Sequence, residues 1–477
     1  MSGRNIDTEV VVIGAGPGGY AAAFHAAQLG LRTVLVNAEE RPGGVCLRRG
    51  CIPSKALLHV AKLVNEAREA RAWGIQFQEP KIDVSSLRAW KDAVVDRLSG
   101  GIAELAGRHG VEYLTARARF RDSGTLDLEW PEASGADRPS SIAFAHAIVA
   151  TGSSPAMPAV FRVDDPRVMD STAALELQDV PPRLLVVGGG YIGLEMGTVY
   201  AALGSRVTVV ELTGGLLPGC DRDLVRPLEK RLAKTFDAVW LETKVDGLES
   251  GKDGVTAFLS GGKAPASMVF DRVLVAVGRV PNSTGFGLEN TRAVVGDRGF
   301  VEVDAQRRTA DERIFAVGDV AGEPMLAHKA SREAKIAAEV IAGQPSEFDS
   351  VAIPAVVSTD PEIAWCGLTE TQAKAQGLEV EVARFPWAAS GRALTLDRPE
   401  GMTKLLVEPG TERVLGVGVV GSGAGELIAE GVLAIEMAAV ARDVADSIHP
   451  HPTLSETLME AAEVALGHST HVFRQKR

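Results

Sequence analysis

Cysteine is scarce in this chain, with four among 477 residues. A cysteine-rich zinc site needs about four ligands. Beside the close pair Cys46 and Cys51 only Cys220 and Cys366 remain, each isolated, and no histidine pair stands at finger spacing near Cys46. Long hydrophobic runs are missing as well: none approaches the roughly 18 residues that a membrane span requires. The opening stretch MSGRNIDTEV lacks the apolar core of a signal peptide, so a cytoplasmic location is expected. There is no basic excess either, with 50 Lys and Arg against 62 Asp and Glu and a formal net charge of -12, which argues against a nucleic-acid partner. What the chain has is length and a 45% hydrophobic content, enough for two to four domains with buried cores.

The stretch EVVVIGAGPGGYAAAFHAAQLGLRTVLVN reads as a strand, a glycine turn, an alanine-rich helix and a second strand at Thr33 to Val36. Gly14, Gly16 and Gly19 give the GxGxxG spacing of a dinucleotide-binding turn: a tight bend, close backbone approach to a pyrophosphate, and close packing of helix on strand. RLLVVGGGYIGLEMGTVYAALGSRVTVVEL repeats that order with Gly188, Gly190 and Gly193 and a second strand at Val207 to Val210. Two copies predict two dinucleotides, each with its pyrophosphate at a helix amino terminus.

Asn37 follows Gly14 by 23 residues, and Glu211 follows Gly188 by the same 23. Both positions are expected to meet an adenosine ribose. A carboxylate there accepts hydrogen bonds from both ribose hydroxyls and repels a 2′-phosphate, so Glu211 favours NAD over NADP. Asn37 departs from the acid expected of the first unit; Glu39 or Glu40 could substitute for it. Two further strands, in AHAIVATGSSP (145–155) and RIFAVGDVAGEPMLAHKA (313–330), run into small-residue turns, and beyond about Val351 the chain reads as a separate interface domain.

In a reducing compartment two thiols five residues apart are more often catalytic or metal-binding than structural, although a passive disulfide stays open as a reading. Pro53 suits the first turn of a helix running through SKALLHVAKLVNEAREA, which puts Cys51 near that helix's positive end, where a thiolate is stabilised. Cys46 is expected in a loop upstream, freer to meet a substrate. In HPHPTLSE, Pro452 pushes His451 out of helical geometry, and Thr453 with Glu456 reads as a capping box for the following helix.

The motifs GAGPGGY, GGVCLRRGCIPSKALLH, ATGSSP, GGGYIGLEMGTVY, FAVGDVAGEPMLAHKA, FPWAASGRA and HPHPTLSE, in this order, resemble the pyridine nucleotide-disulfide oxidoreductase family, and within it the branch that oxidises dihydrolipoyl groups. The resemblance covers nearly the whole chain. It implies an α/β fold with two Rossmann-like dinucleotide-binding domains, for FAD and NAD, plus a carboxyl-terminal α+β dimerisation domain. The expected segments are 1–150 for FAD, 151–280 for NAD, 281–350 completing the FAD site, and 351–477 for the interface.

By resemblance Cys46, Cys51, His451 and Glu456 are catalytic. Cys46 attacks as a thiolate and forms a mixed disulfide with the substrate, Cys51 resolves it and faces the flavin, His451 handles protons, and Glu456 orients His451. The family motif leaves His449 a structural role. Lys55 is placed beside the flavin with Glu195 as its partner, Asp319 near the ribityl and phosphate part of FAD, and Ala327 against the flavin through its backbone. Further cofactor contacts are implied at Ala118, Gly152, Tyr191, Ile192, Val245, Ala276, Gly278 and Arg279. The implied partners are a second copy of the chain and the lipoyl domains of a 2-oxo-acid dehydrogenase acyltransferase or of the glycine cleavage carrier protein. ELTGG after the second fingerprint lacks the basic residues expected of an NADPH-dependent glutathione-type reductase, and the terminus HSTHVFRQKR lacks the second redox pair of mercuric or large thioredoxin reductases. A mainly docking role in a multienzyme core is the alternative from another class.

Overall fold

The computed structural model describes residues 5–131 and 138–473 and falls into two units. The first is built from Met1–Ala56, Asp83–Ala156 and Gly278–Asp349. Its centre is a parallel sheet in which β1 (Asn5–Ile13) lies between β2 (Thr33–Asn37) and the strand Ser141–Val149; Glu112–Thr115 flanks β2 and Ile314–Ala316 flanks Ser141–Val149. The valine run of β1 is buried on both faces, as a parallel strand covered by helices requires. Helix α1 (Pro17–Gln28) turns Ala22, Ala23 and Ala26 into that core, where they share one cluster with Val10, Val12 and Ile148 and with Ala334, Ile336 and Ala337 of the helix Ala327–Ile341. In register, Ile13 pairs with both Val36 and Val149, and Val149 with Ala316. The strands therefore end together, and the glycine turn leaves from that carboxyl edge, where open parallel sheets bind ligands.

The second unit comprises Leu57–Ile82, Met157–Val277 and Ser350–Arg477. It repeats the device: β3 (Arg183–Val187) lies between β4 (Arg206–Val210) and Arg272–Val275 in a parallel sheet, with Val187 in register with Val210 and Val275. A three-stranded antiparallel sheet over 243–270 closes onto it. The carboxyl-terminal part of this unit is a five-stranded antiparallel sheet in the order 355–357, 362–367, 414–421, 402–407, 381–386, and its core is filled by Trp387, Phe385, Leu405 and the helices around Ile428 and Leu458. Among the described residues no helix is long and apolar enough to cross a membrane.

Candidate active site

The two glycine turns are built to the same plan. Gly14 has φ +100°, and a Cβ on it would lie 2.4 Å from the Ala150 carbonyl oxygen; Gly188 has φ +108°, and its Cβ would lie 2.4 Å from that of Ala276. Neither place admits a side chain. Three residues before α1 and α4 (Tyr191–Leu203) respectively, each turn receives the same support: the Gly14 N–H donates to the Val36 carbonyl and the Gly188 N–H to that of Val210, both at 2.8 Å. Gly16 meets nothing nearer than the Gly44 Cα at 3.8 Å, and Gly190 meets nothing within 4 Å. With no acidic residue in the first turn of either helix, the chain itself does not neutralise the positive amino terminus, which fits a pyrophosphate. The residues present thus fit FAD at the first turn and NAD at the second.

The ribose positions differ from each other. Glu211, almost fully buried at the end of β4, accepts from the Gly189 N–H (2.7 Å), the Thr213 N–H (2.7 Å) and the Thr213 hydroxyl (2.8 Å). Those three bonds use most of a carboxylate's roughly four acceptor positions. Glu211 thus pins the second glycine turn and keeps about one acceptor position in hand. Tyr191 and Ile192 open α4, with Tyr191 exposed, while Glu195, one turn on, is buried and accepts from the Ser358 N–H at 2.9 Å. Val245 is buried in the second unit's apolar core, so it could offer a ligand only its backbone.

Asn37 ends β2. Its Oδ1 accepts from the Ala15 N–H (3.3 Å), and its Nδ2 donates to the Glu39 carbonyl (3.0 Å) and the Tyr113 hydroxyl (3.1 Å). The Glu39 carboxylate is held by Arg48, at 2.6 Å, and by Arg49. Tyr113 was missed from sequence; it lies in a neighbouring strand with no fixed spacing to Asn37. Ala118 sits opposite Leu128 in a hairpin of the same unit, buried in its core.

Asp319 lies in the single turn Gly318–Ala321, where its carboxylate accepts from the Ser153 hydroxyl at 2.5 Å. Arg279 donates to the Ser153 hydroxyl and carbonyl, both at 2.7 Å, and comes within 4.0 Å of Asp319. Gly152 (φ +69°) and Gly278 (φ +132°) shape the two ends of this network, and the Gly278 carbonyl accepts from the Ala156 N–H. Ala327 opens the helix Ala327–Ile341. Ser153 was also missed, although the small-residue run ATGSSP marked its turn.

Cys46 is not in a loop but in the short helix α2 (Gly44–Arg49), and α3 (Cys51–Glu69) begins at Cys51 itself, separated from α2 only by Gly50. The reason is a long-range bond: the Gly43 N–H donates to the Ala15 carbonyl at 2.8 Å, docking the start of α2 on the first glycine turn. Pro53 sits in the first turn of α3, where its missing N–H costs no bond. The two cysteines are not joined as a disulfide, and the Cys46 Sγ donates to the Cys51 Sγ at 2.7 Å. That hydrogen bond, and then burial, push the Cys46 thiol well above its ordinary pKa. In the single chain Cys51 is the more exposed of the pair. Lys55 stands one turn along α3 from Cys51 and draws the Cys46 thiol in the opposite direction.

His451 is exposed, and its Nδ1 is 2.8 Å from the Glu456 carboxylate. With Nδ1–H donating to that acceptor, Nε2 is the free basic nitrogen. The expected capping box is only half formed. The Glu456 carboxylate accepts from the Thr453 N–H at 2.7 Å, but the Thr453 hydroxyl donates to the Pro450 carbonyl, and α5 (Glu456–Leu466) starts at Glu456 rather than three residues before it. Burial pushes the Glu456 carboxyl up, but the Thr453 N–H and His451 outweigh it and leave the group below its ordinary pKa. His449 is enclosed between the Ser447 carbonyl and the Glu430 carboxylate, at 2.8 and 2.7 Å.

Residues 8–334 match the pyridine nucleotide-disulphide oxidoreductase family, and residues 353–462 match that family's dimerisation domain. The chain belongs to this family. It is 49% identical to the dihydrolipoyl dehydrogenase of Haemophilus influenzae over 98% of this chain and 97% of that one, and 48% identical to the enzyme of the same name from Vibrio cholerae, with 97% of each covered. Among solved structures it resembles LpdA of Mycobacterium tuberculosis, with a TM-score of 0.88 and 26% identity over 96% of this chain and 99% of that one. It also resembles the flavoprotein disulfide reductase RclA of Escherichia coli, with a TM-score of 0.84 and 26% identity over 95% and 98%. The α/β architecture with two Rossmann-like cores and a carboxyl-terminal dimerisation domain is that of this oxidoreductase family, whose members bind FAD and NAD. The dimerisation domain supports a homodimer.

Proposed function

We infer that the protein is an NAD-dependent dihydrolipoyl dehydrogenase, oxidising protein-bound dihydrolipoyl groups to lipoyl groups. The observation that carries this is near-full-length identity of 42 to 49% to relatives that bear this name. When bound, FAD takes the electron pair from the reduced dithiol and NAD⁺ receives it as hydride, while the second proton goes to solvent.

The chain's own residues do the thiol chemistry. The Nε2 of His451 takes the proton of one substrate thiol, and that thiolate attacks the Cys46 sulfur of a Cys46–Cys51 disulfide. Cys51 leaves as a thiolate. The second substrate thiol then displaces Cys46, closing the lipoyl ring with loss of two electrons and two protons from the substrate. Nucleophilic attack by Cys46, expected from sequence, belongs to the reverse direction, in which lipoyl groups are reduced. Glu456 fixes the His451 tautomer and stabilises the imidazolium that forms.

In this reading Lys55 lies beside the flavin, Asp319 and the Ala327 backbone contact FAD, and Gly188, Gly190, Tyr191 and Ile192 border NAD. The partner subunit's His451 serves each cysteine pair. The physiological substrate is the lipoyl domain of a 2-oxo-acid dehydrogenase acyltransferase or of the glycine cleavage carrier protein, met in the reducing environment of the cytoplasm.

Purified protein supplied with free dihydrolipoamide and NAD⁺ should form NADH, and Cys46→Ser and Cys51→Ser should each abolish it. No NADH from the wild type would leave only a docking role.

A further inference from the structure

The loop between β2 and α2 joins the end of β2 to α2, the helix that carries Cys46, through one continuous set of polar contacts. The Glu39 carbonyl accepts two hydrogen bonds, from the Asn37 Nδ2 at 3.0 Å and from the Tyr113 hydroxyl at 2.7 Å. The Glu39 carboxylate accepts from Arg48 Nη1 at 2.6 Å through one oxygen and from Arg49 Nη2 through the other. Both arginines belong to α2, the helix that carries Cys46. Arg49 follows Cys46 by three residues on α2, about one helical turn, and Arg48 precedes Cys51 by three residues across the break at Gly50. A lone ion pair on an open surface contributes little. Here, however, a single carboxylate is fixed by its own backbone and grips two guanidinium groups, all three side chains being 30 to 42% exposed.

We propose that Glu39 is a positioning residue for the redox pair: it draws Arg48 and Arg49 onto the β2–α2 loop and offsets part of their charge beside Cys46 and Cys51, while Asn37 is an amide because it must donate to the Glu39 carbonyl. A carboxylate at position 37 has no hydrogen to give that oxygen. The inference rests on the reading of Cys46 and Cys51 as the redox pair, and it goes beyond that reading by assigning the local charge to a residue outside it.

The test is the alkylation rate of the reduced thiols of the FAD-loaded protein by iodoacetamide at neutral pH, followed by mass. Glu39→Gln leaves two uncompensated cations, which favour thiolate, so alkylation should quicken about threefold or more. The gain should shrink in 1 M salt, where screening falls to about 3 Å. The triple variant Glu39→Gln, Arg48→Gln, Arg49→Gln should alkylate at or below the wild-type rate. A wild-type rate in Glu39→Gln would overturn the proposal, as would a triple variant as fast as Glu39→Gln, since the change would then not come from the arginines. Either result with NADH formation from dihydrolipoamide intact sinks this inference alone, whereas loss of that turnover in the wild type sinks the function.

Discussion

Asn37 directs both amide hydrogens into the protein, one to the Glu39 carbonyl and one to the Tyr113 hydroxyl, and this reverses an expectation drawn from sequence. From charge alone, Asn37→Glu should hold FAD at least as tightly, because a charged acceptor makes the stronger bond to ribose. With the amide hydrogens accounted for, the same change sets a carboxylate against the Glu39 carbonyl. The Tyr113 hydroxyl still donates to that carbonyl, so the lost Asn37 bond costs about 0.5 to 1.5 kcal/mol, with the facing charge adding to it. FAD should therefore be lost faster on dilution, read by recovery of free-flavin fluorescence. Glu211 raises a related point, since it pins the Gly189 and Thr213 amides and, in the proposed NAD site, would also meet a ribose. Glu211→Ala should weaken NADH use and narrow the gap to NADPH, and initial rates with the two nucleotides measure that. An unchanged ratio would remove Glu211 from nucleotide choice.

At the scale of elements, what was legible in the sequence was what depends on local spacing. The two glycine turns, the strands and helices around them, and the position of Pro53 in the first turn of α3 all follow from neighbours within about one βαβ unit. The helical setting of Cys46 was not legible, because α2 is only six residues long and is held by a bond from Gly43 to Ala15, 28 residues earlier in the chain. The Thr453 cap failed for a different reason, a competing local acceptor: its hydroxyl found the Pro450 carbonyl, and Glu456 became the first residue of α5. The Glu456 carboxylate, held below its ordinary pKa, stays ionised at neutral pH, and the stability it adds is present above the ordinary carboxylate range and lost as pH falls through the lowered value. Glu456→Gln should cut turnover by roughly 10- to 100-fold by loosening the His451 tautomer, with FAD content unchanged. Steady-state rates together with the flavin-to-protein ratio check both halves.

For the molecule as a whole, the second unit contains a buried ionic centre that sequence gave no reason to expect. Lys404, almost fully buried, donates to Asp221 (2.7 Å), Asp223 (2.8 Å) and Glu370 (2.8 Å), so an ammonium occupies the middle of the acidic group and links residues 221–223 to the antiparallel sheet. Burial pushes Asp221 and Asp223 up, but Lys404 outweighs it and both carboxyls lie below their ordinary values. Their contribution is thus present above the ordinary carboxylate range and disappears in acid. Lys404→Met should destabilise the protein by roughly 3 to 5 kcal/mol at neutral pH, and by less as pH falls through those lowered values, measured by thermal unfolding. The central claim is a catalytic site completed across a dimer, with Cys46 and Cys51 from one subunit and His451 from the other. Its most direct test mixes Cys46→Ser and His451→Gln subunits, each nearly inactive alone, under conditions that allow exchange. Random pairing makes about half of the dimers mixed, each with one intact site, so dihydrolipoamide-dependent NADH formation should recover to roughly a quarter of wild type. No recovery, with exchange confirmed by mass, would contradict the account.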